Sequence, residues 1–216
     1  MIATREMPFR IVVGSFTGFG YSRAGKKDHM CGIYFGVKSV SAKATTVIDL
    51  PKPVQYLCLA YKNLVHDIDG QMHTLMQKRF TDVLHCQPGC ADCCIPFSVF
   101  PLEAAILADA LQNLQLPQTE DVGHCIFLST GLCQVYEARP IICRTQGLPL
   151  GYVDESSEAI EVSACPLNFS EEYPLGFADL LLMDRFNGRL ARLNRRYCKE
   201  TGFMERERIP LAMLSQ

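Results

Sequence analysis

A chain of 216 residues with 48% hydrophobic and 20% charged side chains has a globular balance and length for one well-buried domain, with little room for a second. No apolar run approaches the roughly 20 residues that cross a bilayer, which excludes a membrane span. The formal charge of −2 hides an acidic middle: between positions 100 and 180, Arg139 and Arg144 are the only basic residues, so that stretch would repel nucleic-acid phosphate.

Residues 1 to 54 show neither helical nor strand periodicity, and this segment is expected to be peripheral or poorly structured. Ile11 to Tyr21 is apolar but diluted by glycine and followed by Arg23, Lys26 and Lys27, which is not a signal-peptide pattern. Met30 and Met72 are each placed to start a shorter chain.

From Gln55 the pattern predicts a helix of about thirty residues. Leu57, Tyr61, Leu64, Val65, Ile68, Met72, Leu75, Met76 and Val83 fall on one arc, as expected of a core-facing face. Gly70 weakens such a helix by about 1 kcal/mol without breaking it. The helix should run into the cysteines and stop at Pro88-Gly89.

A second helix is expected over Pro101 to Leu114, with proline in its tolerated first turn and Glu103 near the positive end of the dipole. GYV and AIEV, on either side of DESSE, read as a β-hairpin. A last helix, Leu180 to Glu200, carries an apolar stripe of Leu182, Phe186, Leu190, Leu193 and Tyr197. Arg185, Arg189, Arg192 and Arg196 lie on another face, either solvated or set against an acidic protein partner.

The fold class expected is α+β, mainly helical: a cysteine-cluster domain over 55–200, its core at 86–169, held between flanking helices with a short hairpin. Residues 201–216 would form a C-terminal tail.

Eleven cysteines dominate the composition, and eight of them lie at 86, 90, 93, 94, 125, 133, 143 and 165. An odd total and an adjacent pair argue against a disulfide framework. Neighbouring Cα atoms stand about 3.8 Å apart, shorter than the usual disulfide span of roughly 4.4 to 6.8 Å. A reducing, cytoplasmic setting and metal-bound thiolates fit better. Structural zinc and iron–sulfur clusters each take four such ligands, so eight suit two sites.

Gln87-Pro88-Gly89-Cys90 has the composition of a type II turn that folds Cys86 and Cys90 together. Side chains of successive residues diverge, so Cys93 and Cys94 are expected to serve two neighbouring sites. Arg139 and Arg144 flank Cys143 and would offset thiolate charge, with a surface salt bridge to Glu137 as an equally simple reading. His85 and His124, beside Cys86 and Cys125, are further candidate ligands.

These residues resemble the zinc- or iron-chelating CxxCxxCC family. CQPGCADCC, then HCIFLSTGLCQVYEARPIICR, then ACPL carry the likeness, from Cys86 to about Phe169. The adjacent pair, Cys125 with Leu128 before Gly131 and Cys133, Tyr136 with Arg139-Pro140, and Cys143-Arg144 match in order. One departure is the three-residue gap after Cys86, where the family name has two. The resemblance implies binding of zinc, iron or an iron–sulfur cluster by the eight cysteines and implies no particular reaction.

Four functions remain in play. The chain could transfer electrons or handle clusters, or be a zinc-stapled protein-interaction module. It could instead exchange disulfides, or be a radical S-adenosylmethionine enzyme, since Cys86, Cys90 and Cys93 satisfy C-x3-C-x2-C. Only a short chain follows Cys93 for the barrel that radical enzymes use, and Asp92 stands where they place an aromatic. No GxSxG, Walker-type loop or HExxH occurs, so no enzyme class is assigned.

Overall fold

In the computed structural model, which describes residues 9–13, 48–112, 114, 123–154 and 159–214, the apolar period beginning at Gln55 becomes helix α1, Gln55–Arg79. Most of the stripe points inward as expected, but Met76 is exposed and Val83 lies beyond the helix. Leu57, Tyr61, Leu64 and Ile68 are buried, and Val65, Met72 and Leu75 pack on the same core. Each fully covered aliphatic side chain contributes about 1.5–3 kcal/mol. Gly70 sits within the unbroken helix.

Contrary to expectation, α1 does not reach the cysteines. It ends because Phe80 leaves helical geometry at φ −131°. Its buried ring turns into the core and packs edge-on against Phe169, with centroids 5.0 Å apart. The chain then crosses Val83 and Leu84 as an irregular segment leading to Cys86.

A two-residue strand β2, Ser98–Val99, precedes helix α2, Pro101–Leu111, which has proline in its first turn. Helix α2 stops at Leu111, short of the expected Leu114, where the Leu114 N–H folds back onto the Leu111 carbonyl at 2.9 Å. Strands β3, Leu128–Ser129, and β4, Leu132–Cys133, form a hairpin. Thr130 and Gly131, both at positive φ, supply the type I′ turn that such tight hairpins use. A 3-10 turn at Tyr136–Ala138 and a four-residue helix α3, Ile141–Arg144, follow.

The expected hairpin is present as β5, Leu150–Asp154, antiparallel to β6, Ala159–Ala164. Strand β1, Phe9–Val13, from the segment expected to be peripheral, runs parallel to β6, and β7, Leu181–Leu182, runs parallel to β5. The sheet order is β1-β6-β5-β7. The last helix, α4, spans Asp184–Thr201 and so starts later than expected. The sheet claims the preceding residues: Leu181 N–H donates to Pro149 O and Met183 N–H to Gly151 O, each at 2.9 Å.

The expected C-terminal tail is part of the fold. Strand β8, Ile209–Pro210, pairs with β2, and Ile209, Leu211 and Leu214 are buried. One core lies between α1, α4 and the sheet. A second gathers Val99, Leu107, Phe127, Val135 and Ile209 beside the cysteines. A third joins α1, α2 and α4 through Leu57, Leu102 and Tyr197. No helix among the described residues is long and apolar enough to cross a membrane.

Candidate metal centre

Two consecutive turns wind the first half of the cluster. The Cys90 N–H donates to Gln87 O at 3.0 Å and Gly89 stands at φ 96°, which makes the type II turn read from Pro88-Gly89. The Cys94 N–H then donates to Ala91 O at 2.8 Å, bringing the adjacent pair onto the same side of the fold.

The second half is fastened to this winding by backbone contacts. The Cys125 N–H donates to Cys94 O at 2.8 Å. The β3–β4 hairpin puts Cys133 opposite Leu128, and its turn packs on the first one. A Cβ on Gly131 would lie 3.5 Å from the Gly89 Cα. Cys143 comes from α3, whose start is held by a buried carboxylate: Glu103 Oε1 accepts the Ile141 N–H at 2.9 Å and the Tyr61 hydroxyl at 3.1 Å. Burial pushes the Glu103 pKa up, against the pull of these donors. Glu103 thus ties α1 and α2 to the start of α3, two residues before Cys143.

Cys86 and Cys165 meet through Asn168. The Asn168 amide donates to Cys86 Sγ at 3.3 Å and to Gly147 O at 2.8 Å, and its oxygen accepts the His85 N–H at 2.9 Å. Its own backbone N–H donates to Cys165 O at 3.1 Å. Gly147, at φ 97°, permits the approach: a Cβ there would sit 2.7 Å from Cys86 Sγ, well inside contact distance.

Cys86, Cys90, Cys93, Cys94, Cys125, Cys133 and Cys143 line one cavity of about 570 Å³, together with Arg139 and an apolar wall that includes Met72, Phe127 and Leu148. Cys165 is not among the residues that line it. Cys86 is exposed and the other seven cysteines are half-buried. Among the described residues, no three Cys, His, Asp or Glu side chains converge tightly enough to clasp an ion without movement. The thiols ring the cavity, so binding would draw its walls inward. In type and number they fit zinc, iron or an iron–sulfur cluster.

Electrostatics separate the adjacent pair. The Cys94 thiol donates to the Cys93 sulfur, which with the Arg139 charge brings the Cys93 pKa down to about 7, while Cys94 is pushed up. Burial raises Cys143 to about 12. Burial also raises Cys125 and Cys86, partly offset at Cys86 by the Asn168 hydrogen bond. The thiols that act on Cys86 are Cys165, Cys90 and Cys93. Besides Cys93, those acting on Cys94 are Cys133 and Cys125, and both of these also act on Cys143.

Both flanking arginines line the cavity. Arg139 lies over the Tyr136 ring at 3.5 Å. Arg144 pairs with Asp69 of α1 at 3.1 Å and not with the Glu137 carboxylate; it reaches only the Glu137 carbonyl, at 2.7 Å. Neither His85 nor His124 lines the cavity, and His85 is exposed. On α4, Arg189 pairs with Asp67 of α1 at 2.7 Å.

Sequence reasoning missed Asn168 and Gly147, and it credited Glu103 only with a helix-dipole role. Position three after Cys165 is the one signal that could have flagged Asn168, because it places the amide in the turn that the last cysteine starts.

Residues 85–166 match the family model CxxCxxCC, described as "Putative zinc- or iron-chelating domain". Comparison with curated proteins and with solved structures gave no match.

Proposed function

We propose that the eight cysteines 86, 90, 93, 94, 125, 133, 143 and 165, in the stretch that matches a zinc- or iron-chelating family model, hold iron, an iron–sulfur cluster or zinc, and that the bound group serves electron transfer or cluster handling. The observation that carries this reading is that seven of these thiols line one cavity and that one of them, Cys86, is exposed. A purely structural staple needs no such exposure.

The bound group would supply one-electron chemistry or a transferable metal–sulfide unit. The chain supplies the rest. Arg139 places a positive charge beside the thiols and favours the thiolate at Cys93. Asn168 donates a hydrogen bond to Cys86 Sγ, of the kind that tunes metal-bound sulfur. The apolar wall limits water around the sulfurs.

A second reading, a zinc-stapled protein-interaction module, is favoured by the packing of Cys125, Cys133 and Cys143 against the Val99–Phe127–Val135 core. The mixed four-stranded sheet gives no support to a radical-enzyme barrel. Anaerobic purification followed by absorption spectroscopy, elemental analysis and sulfide assay separates the two readings. A brown protein with iron and inorganic sulfide supports the first; a colourless one with stoichiometric zinc supports the second.

A further inference from the structure

Resting on that metal-binding reading, we propose that the eight thiols divide into two unequal sites: Cys86, Cys90, Cys93 and Cys165 form an exchangeable site at the cavity mouth, and Cys94, Cys125, Cys133 and Cys143 form a structural site against the core.

Backbone connections set the division. Cys125 is hydrogen-bonded to Cys94 at 2.8 Å. Cys133 follows on the hairpin that starts at Leu128, and the Gln134 N–H returns to Phe127 O at 2.8 Å. Cys125, Cys133 and Cys143 all pack on the same core cluster, and the Cys125–Cys94 backbone bond brings Cys94 to them. On the other side, Asn168 joins Cys86 to the Cys165 turn, and the Gln87–Cys90 turn brings Cys90 back beside Cys86. Cys93 completes this set, because its neighbour Cys94 is already committed to Cys125.

The inequality follows from exposure. Cys86 is the exposed cysteine of the cluster, whereas the second set borders Phe127, Val135 and Val99, each no more than 5% exposed. Opening the first site disturbs a turn held by one asparagine; opening the second disturbs a core.

The test measures metal per chain by elemental analysis on the full chain, as purified anaerobically, for the parent protein and for C86S, C165S, C125S and C133S. It is combined with a timed chelator challenge of the parent. Each single variant should retain half of the parent's metal. C86S and C165S should keep the parental circular dichroism and melting temperature, and C125S and C133S should melt lower. In the parent, half of the metal should leave rapidly with helicity intact and half only on unfolding. If C125S or C133S does not fold, the two-phase release from the parent still decides. Complete loss of metal from folded C86S, no loss from C165S, or single-phase release would each overturn the division while leaving metal binding intact. A metal-free parent would instead overturn the reading on which the division rests.

Discussion

Asn168 donates to Cys86 Sγ at 3.3 Å while accepting the His85 N–H at 2.9 Å and donating to Gly147 O at 2.8 Å. One buried amide therefore holds two chain segments and the Cys86 sulfur. Replacing it by alanine should cost about 1–3 kcal/mol, the usual penalty for buried partners left unpaired. It should also weaken metal binding by about 10–100-fold, as loss of an outer partner commonly does. Thermal melting and competition with a chelator check the two parts. Asn168→Asp keeps the acceptor for His85 but loses both donors, so it should weaken metal binding as the alanine variant does.

Gly147 fails any side chain for two separate reasons, its φ of 97° and the 2.7 Å approach to Cys86 Sγ. Gly147→Ala should lose about 1–3 kcal/mol from backbone strain alone and displace Cys86. The expected outcome is a lowered melting temperature together with reduced metal content. A normal metal content would show that Cys86 is not held where Asn168 puts it.

Glu103 gives the fold a pH dependence of defined sign. Burial raises its pKa above the ordinary 4.5, so the folded state binds the proton more tightly than the unfolded one. This stabilisation is complete below about pH 4.5 and is lost as pH rises through the folded value. Tyr61 on α1, Cys143 on α3 and Arg208 before β8 are the titratable or charged groups that face it. Glu103→Gln keeps an acceptor for the Ile141 N–H and the Tyr61 hydroxyl without the charge. Its stability should fall less steeply than the parent's as pH rises from 4.5 towards neutrality. Glu103→Ala, which strands the Ile141 N–H, should cost about 1–3 kcal/mol at any pH in that range. Chemical denaturation at several pH values reads both.

Cys58 and Cys198 lie outside the cluster. Cys58 Sγ contacts Pro53 O at 3.6 Å, and Cys198 is buried among Leu57, Leu102 and Tyr197. Cys58→Ser and Cys198→Ala should leave metal content unchanged. The Cys198 variant should lose stability in line with a small cavity, about 1 kcal/mol. A drop in metal for either variant would extend the ligand set beyond the eight.

What the sequence made legible was whatever depends on spacing. The α1 stripe, the Pro88-Gly89 turn, the β5–β6 hairpin and the eight clustered cysteines each leave a local pattern, because helix period, turn chemistry and ligand count are written in neighbouring residues. The end of α1 was not legible, since it is decided by Phe80 meeting Phe169 from far along the chain. The start of α4 was lost for a similar reason: LLL is apolar enough for helix, but the β5 backbone captures its donors. Asn168, Gly147 and Glu103 act through contacts 21 to 83 residues away in sequence, which no window of neighbouring residues displays. The packing of Ile209, Leu211 and Leu214 was hidden because a two-residue strand carries no periodicity.

The most direct test of the account is the metal and sulfide content of the full chain purified without oxygen, measured before and after prolonged chelation with circular dichroism recorded alongside. The account predicts stoichiometric zinc or iron in the starting protein and a lowered melting temperature once all of it is removed, because metal binding and folding are coupled at such sites. A metal-free protein whose spectrum and melting temperature do not respond to the chelator would contradict it.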